Sequence, residues 1–475
     1  MAVVIAAPAS GSGKTLLTLA LLAWARSQGH SIQPFKVGPD YLDPQLLSAA
    51  AGHPCRNLDL NLCGQAWVEK AFLGYGSQRD LALVEGVMGL FDGIGCSEAG
   101  STAAIAKQLQ LPVVLVIDAG GQAASLGALV QGFRDHDPDL TLAGVVLNRV
   151  SSQRHRELLQ EVLDAIGMPL LGCLPKSDEL ALPSRHLGLA PAHELQNPLH
   201  RHQRWARLAE EHLDVTHWLA LMEAPRSGTP PLDEIAPITG PALPVAVAVD
   251  EAFHFRYAET GEQLERMAMP LLPWSPLADE PIPPDARGLI LPGGFPEQHA
   301  EELGQCRRSL SALREFAQQR PVYAECGGML LLGQQLNDLN GTPHPMAGLL
   351  PFSARRGGLQ VGYRQLTPRR DGLLLRHGES LRGHEFHRWI LEHDRPPSDE
   401  SVLWDIEGWR TGQTPEGWGT QRIHASWIHL HWASSSMICS RWRDALATEP
   451  IPLPGGSSTE PSPAARNPSS NAGDC

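Results

Sequence analysis

The apolar run Val3-Val4-Ile5-Ala6-Ala7 leads into Ser10-Gly11-Ser12-Gly13-Lys14-Thr15, and the apolar stretch 16–25 follows at once. A strand, a glycine-rich turn and a helix in that order allow few folds, because the turn must aim its backbone N–H groups from the positive end of the helix dipole. Such a turn is built for phosphate. The backbone of Gly11, Ser12, Gly13, Lys14 and Thr15 wraps the anion, Lys14 reaches the β/γ oxygens, and Thr15 offers its hydroxyl to Mg²⁺. The strict pattern has Gly where Pro8 stands, so the flanking strand and helix support the assignment more than the match does.

Short apolar runs at 2–7, 81–84, 113–117 and 142–147 alternate with longer amphipathic stretches. Apolar throughout, they read as buried parallel strands between helices, which predicts a P-loop doubly wound parallel-sheet α/β domain over 1–195. Residues 196–243 turn rich in His, Arg and Trp and then Pro, and read as a linker region. Strand-like runs resume at 245–249, 288–291 and 321–324, which predicts a second α/β domain over 244–447. The tail 448–475, rich in Pro, Gly, Ser and Asn, lacks the apolar periodicity to offset its ordering entropy and reads as disordered.

Composition narrows the partners. A chain of 475 residues that is 42% hydrophobic can bury more than one core, which favours two large domains. Its net charge of −14 disfavours nucleic acid and anionic lipid. No run approaches the roughly 20 apolar residues of a membrane helix, no secretion leader is recognisable, and the eight cysteines show no metal or disulfide spacing. A soluble, cytoplasmic protein, monomeric or homodimeric, is expected.

Far downstream, Pro321-Val322-Tyr323 runs into Ala324-Glu325-Cys326-Gly327-Gly328. Two glycines after the Cys allow a tight strand-to-helix elbow, and the helix dipole there favours thiolate. Leu291-Pro292-Gly293-Gly294-Phe295-Pro296-Glu297 offers a glycine turn whose Gly294 can present an oxyanion donor alongside the Gly327 amide. A thiolate nucleophile needs a base. Trp427-Ile428-His429-Leu430-His431-Trp432 supplies two His on one strand face, and a metal pair is the weaker alternative because no third ligand is in view. Nucleotide loop and Cys elbow together imply ATP-driven transfer of nitrogen from glutamine.

Two further segments add carboxylates. Lys36-Val37-Gly38-Pro39-Asp40-Tyr41-Leu42-Asp43-Pro44 places Asp40 and Asp43 around an aromatic in a constrained loop, suited to Mg²⁺, to orienting substrate, or simply to capping a turn. Glu85 ends a strand beside the phosphate loop, where a Mg²⁺ ligand belongs, and Asp92 follows in the loop 86–93.

In this order, Ala6 to Thr15, Lys36 to Pro44 and Glu85 to Gly93 resemble the family of cobyrinate a,c-diamide synthases, whose N-terminal domain is similar to dethiobiotin synthetase. The region around Cys326 and His429 resembles the glutamine amidotransferase domain of the Cys-His triad class. The resemblance implies that ATP phosphorylates an acetate carboxylate of cobyrinic acid and that ammonia from glutamine displaces the phosphate. Lys36, Asp40, Tyr41, Leu42, Asp43, Glu85 and Asp92 then handle substrate or metal, with Thr15 and Glu85 on Mg²⁺. Asn148 falls near the adenine, or else caps a strand end. Cys326 and His429 match the nucleophile and base, whereas His431 stands where many relatives carry Glu. Arg355, Arg356, Arg364 and Arg382 suit a polyanionic substrate, or form an ordinary charged surface. Cobyrate synthase, which amidates other corrinoid side chains, and a partition-type ATPase switch are the alternatives.

Overall fold

Strands that are apolar on both sides need cover on both sides, and the N-terminal half supplies it. The computed structural model describes residues 2–176, 184–185, 188–189, 192–194, 198–392 and 401–448. Seven strands form one parallel sheet: β1 (Val3–Ala6), β2 (Ile32–Val37), β3 (Arg56–Leu58), β4 (Leu81–Glu85), β5 (Val113–Asp118), β6 (Leu142–Val150) and β7 (Leu170–Pro175). Their order is β3-β2-β4-β1-β5-β6-β7. The helices α1 (Lys14–Ser27), α2 (Leu42–Ala51), α3 (Gln65–Gly76), α4 (Thr102–Gln108), α5 (Ser125–His136) and α6 (Gln153–Ala165) close separate apolar cores on the two faces. This is the expected doubly wound sheet. It brings the carboxyl ends of β1, β2, β4 and β6 to one edge, where such folds bind ligands.

Residues 196–243 depart from the expected linker. Helices Pro198–His212 and Val215–Leu221 pack on the first domain, with Trp205, Leu208, Ala209 and Trp218 in the core beneath α1. Trp218 is fully buried, and its Nε1 donates to the Leu171 carbonyl at 3.3 Å. The abundant His and Arg hid an amphipathic face that recurs at i, i+3 and i+4. The tail beyond residue 448 lies outside the described residues.

In the second domain, parallel strands run in the order Leu271–Trp274, Val245–Ala248, Gly288–Leu291, Val322–Glu325 and Ile423–Ser426. An antiparallel extension continues through Thr414–Gly419 and Val402–Glu407 to the 16-residue strand Ser353–Pro368. That strand pairs with Leu381–Glu392, which in turn pairs with Ile428–His429, placing His384 opposite His429. This long hairpin is hard to read from the residues, because Arg, Gly and Gln interrupt any apolar alternation along it.

The two domains meet closely. Arg56 on β3 holds Glu262 through both guanidinium nitrogens at 3.0 and 2.8 Å, and the Tyr363 hydroxyl donates to Asp59 at 2.8 Å. Tyr41 and Leu42 of the first domain share a small core with Phe255, Tyr257 and Phe295 of the second.

Candidate active site

The glycine-rich turn joins the end of β1 to Lys14, the first residue of α1. Gly13 has φ 111°, and a Cβ there would lie 2.3 Å from Asn148 Nδ2, so only glycine lets β6 approach the loop. Asn148 donates from Nδ2 to the Ser12 carbonyl at 2.9 Å, and its Oδ1 accepts from the Arg149 amide. Its amide therefore braces the loop from the strand end. Lys14 Nζ donates to the Met88 carbonyl at 2.5 Å. Burial and the neighbouring Lys36 bring Lys14 down to about 8. An arriving phosphate reverses that balance by adding negative charge.

Lys36 joins the acids. Its Nζ lies 2.6 Å from Asp43 and 2.8 Å from Glu85, and donates to the Gly86 carbonyl at 3.1 Å. Burial opposes the charge on Lys36, but Asp43 and Glu85 more than offset it and raise its pKa. Thr15 Oγ1 donates to Glu85 Oε1 at 3.0 Å, while Glu85 Oε2 is buried with no hydrogen-bond partner. A hydroxyl beside an orphaned carboxylate oxygen fits a hard cation. Among the described residues no three His, Cys, Asp or Glu side chains form a metal cage, so phosphate and water oxygens would complete the shell.

Asp40 caps α2, accepting from the Leu42 and Asp43 amides at 2.8 and 3.2 Å. Burial and the Asp43 charge raise it to about 7. Asp92 accepts from the Gly89 amide at 2.8 Å and closes the loop after β4. Asp40 and Asp43 thus border the acid cluster directly, whereas Asp92 shapes its wall.

The second site centres on Cys326, at φ 46° and ψ −112° on the turn after Val322–Glu325. A non-glycine residue held there stores backbone strain, as nucleophile elbows do. Close approach explains the neighbouring glycines: a Cβ on Gly328 would lie 2.1 Å from the Leu291 carbonyl, and one on Gly327 would lie 3.0 Å from the Gly294 amide nitrogen. Gly294 and Gly327 line the hollow at Cys326, where an oxyanion would form. Cys326 Sγ donates to the Phe386 carbonyl at 3.7 Å, and the His429 ring lies close enough to feel the sulfur's charge. His429 Nδ1 lies 3.2 Å from Glu325 Oε2. Burial alone would lower the His429 pKa, but the Cys326 sulfur and the Glu325 carboxylate outweigh it and raise it to about 10.

Glu325 lines up behind His429, a contact that sequence reasoning missed. Its other oxygen accepts from the Leu430 amide at 3.1 Å and from the Tyr323 hydroxyl. The available signal was its place immediately before Cys326, which puts the side chain on the strand end facing the base.

His431 does not share a strand face with His429, because the strand stops at His429. His431 begins a short 3-10 turn, accepts from the Ser434 amide at 3.2 Å, and packs against Trp67 and Tyr257. Burial lowers its pKa to about 4. Two of the arginines considered for an anion are already engaged: Arg364 pairs with Glu385 at 2.6 Å, and Arg355 with Glu392.

A cavity of about 570 Å³ lies at the domain interface between the two sites. Asp40, Asp43 and Met88 line one side, and His384, Phe386 and His429 the other. Tyr41 is common ground, with its ring centroid 5.2 Å from Phe255 (stacked), 4.6 Å from Tyr257 and 5.0 Å from His429.

Comparison with known proteins agrees with this division. Residues 3–189 match the CobQ/CobB/MinD/ParA nucleotide binding domain, and residues 244–437 match the CobB/CobQ-like glutamine amidotransferase domain. Cobyrinate a,c-diamide synthase of Gloeobacter violaceus is 42% identical over 446 residues, covering 93% of this chain and 96% of that protein. The protein of the same name from Synechocystis sp. is 40% identical over 94% of this chain and 93% of its own. Hydrogenobyrinate a,c-diamide synthase of Streptomyces coelicolor is 38% identical over 94% and 97%. Similarity of this extent across both domains means that the chain belongs to the cobyrinate a,c-diamide synthase family.

Proposed function

We propose that this glutamine-dependent, amide-forming ligase converts the a and c acetate carboxylates of cobyrinic acid to amides, using one ATP and one glutamine for each. The observation that carries the proposal is the single cavity with Asp40 and Asp43 at one side and His429 at the other. Ammonia released at Cys326 enters the space where a carboxylate meets the phosphate loop.

At the second site, the Cys326 sulfur attacks the side-chain carbonyl of glutamine. Charge on the oxygen falls against Gly294 and Gly327. His429 gives its proton to the departing nitrogen as the C–N bond breaks, and water then hydrolyses the thioester to glutamate. At the first site, the loop 11–15 and Lys14 hold ATP while the substrate carboxylate takes the terminal phosphoryl group. Ammonia attacks the acyl carbon and phosphate leaves. Mg²⁺ would be held by Thr15 and Glu85, and would neutralise charge on the transferring phosphoryl group. The described cysteines are all free thiols, which supports a reducing, cytoplasmic setting.

The test is to incubate the purified chain with cobyrinic acid, glutamine, ATP and Mg²⁺, beside a parallel reaction on hydrogenobyrinic acid. Two successive exchanges of carboxyl OH for NH₂, read by mass spectrometry and placed on the a and c side chains by NMR, are expected. Amides on other side chains would assign the cobyrate synthase reaction instead, and ATP hydrolysis without amide would assign a switch.

A further inference from the structure

Large apolar side chains on a protein surface usually stand singly. Here four exposed ones converge on the interdomain cavity: Met88 (44% exposed), Leu359 (42%), Val361 (52%) and Trp409 (51%). Met88 comes from the loop after β4. The other three come from the amidotransferase domain, Leu359 and Val361 from the strand Ser353–Pro368, where both line the cavity. Trp409 reaches across to the first domain. A Cβ on Gly95 would lie 2.2 Å from its indole, so glycine is what lets the ring seat there. Arg410 places its guanidinium 4.6 Å from the same ring.

From this we infer that the amidotransferase domain supplies the platform for the substrate's macrocycle, through Leu359, Val361 and Trp409. The inference rests on the corrinoid substrate proposed above. A corrin has a broad, largely apolar ring with carboxylate side chains around its edge. The cavity supplies the apolar floor such a ring needs, and Met88, whose carbonyl holds Lys14, brings that floor to the edge of the phosphate loop. About 570 Å³ is within the range of small-molecule sites, and covering the apolar floor removes it from water. The occupant is a small molecule, since the floor lies in a concavity between two domains of one chain. The second domain thus has two roles, releasing ammonia and holding the acceptor.

A nitrogen-donor test separates these roles. Loss of Cys326 is bypassed by free ammonia, but loss of the platform is not. Trp409→Ala and Val361→Ser are each expected to raise the KM for cobyrinic acid about tenfold, whether glutamine or ammonia supplies nitrogen. Trp409→Phe recovers most of the loss, and Leu199→Ser, at an exposed apolar side chain away from the cavity, changes nothing. Equilibrium dialysis with cobyrinic acid should show the same weakening without turnover. Unchanged KM and dialysis constants in both variants, or rescue of Trp409→Ala by ammonia at low corrinoid, would overturn the platform while leaving the amidation intact. A parent chain that binds cobyrinic acid in a Trp409-dependent way but forms no amide would retain the platform and overturn the activity.

Discussion

Glu325 Oε2 lies 3.2 Å from His429 Nδ1, so the carboxylate beside the proposed base comes from the residue immediately before the proposed nucleophile. A carboxylate there fixes the ring and stabilises its protonated form. Glu325→Gln removes one of the two interactions that raise His429. A raised His keeps its proton up to its folded pKa, so the alkaline limb of glutamine hydrolysis should move toward neutral pH, with the rate at pH 8 reduced about tenfold or more. Amidation from free ammonia should persist. An unmoved alkaline limb would deny Glu325 that role.

Lys36 lies between two buried carboxylates. Taking it away leaves Asp43 and Glu85 facing each other without a counter-charge, and breaking a buried pair in this way costs about 3–5 kcal/mol. Lys36→Met should abolish amidation with both nitrogen donors and lower stability to denaturant. The double variant Lys36→Met with Asp43→Asn should recover stability without recovering amidation. If both single and double variants matched the parent in turnover, Lys36 would be only a structural bridge.

The sequence disclosed the sites better than the contacts between them. Gly13, Lys14, Cys326 and His429 sit in local patterns whose backbone geometry a short motif dictates, and each lies at the strand end where its motif belongs. Glu325 and Trp409 depend on partners far away in sequence, His429 and Gly95, and the strands of the hairpin 353–392 lack the alternation that marks a strand, so neither periodicity nor spacing speaks to them. His431 misled for a physical reason: alternation predicts one strand face, but the chain leaves the sheet after His429 and His431 caps the next turn. The helices within 198–221 were masked in the same way, by polar residues on their outer faces.

His424 is buried beside Tyr323 and Trp404, and neither of its ring nitrogens has a hydrogen-bond partner. Burial lowers its pKa to about 3. The native state therefore refuses a proton that the unfolded chain accepts below about 6.5, and stability falls with decreasing pH by about 1.4 kcal/mol per unit between those limits. His424→Phe keeps the ring contacts and removes the unpaired nitrogens. It should stabilise the fold by about 1 kcal/mol at pH 7 and by more at pH 5. Urea titrations at the two pH values would show this, and an equal or lower stability at pH 5 would mean the nitrogens are satisfied.

Tyr41 links the chemistry of the two domains. It stands between Asp40 and Leu42 at the start of α2, yet its ring packs on His429, Phe255 and Tyr257 across the interface. Any displacement of the Asp40 loop would therefore carry a ring that touches His429, the proposed base. Tyr41→Ala would open a void between the phosphate site and His429, and ammonia released there would reach bulk water as readily as the acyl phosphate. The expected result is a fall of about threefold or more in amide formed per glutamine consumed, while glutamine hydrolysis continues. Tyr41→Phe retains the ring contacts and should hold the parent ratio, because the aromatic packing, and not the hydroxyl, forms the wall. Supplying saturating ammonia should narrow the gap between Tyr41→Ala and the parent. Should the ratio stay at the parent value in Tyr41→Ala, with folding confirmed by circular dichroism, then coupling must run through other contacts of the interface, with the Tyr363–Asp59 hydrogen bond the next to be cut.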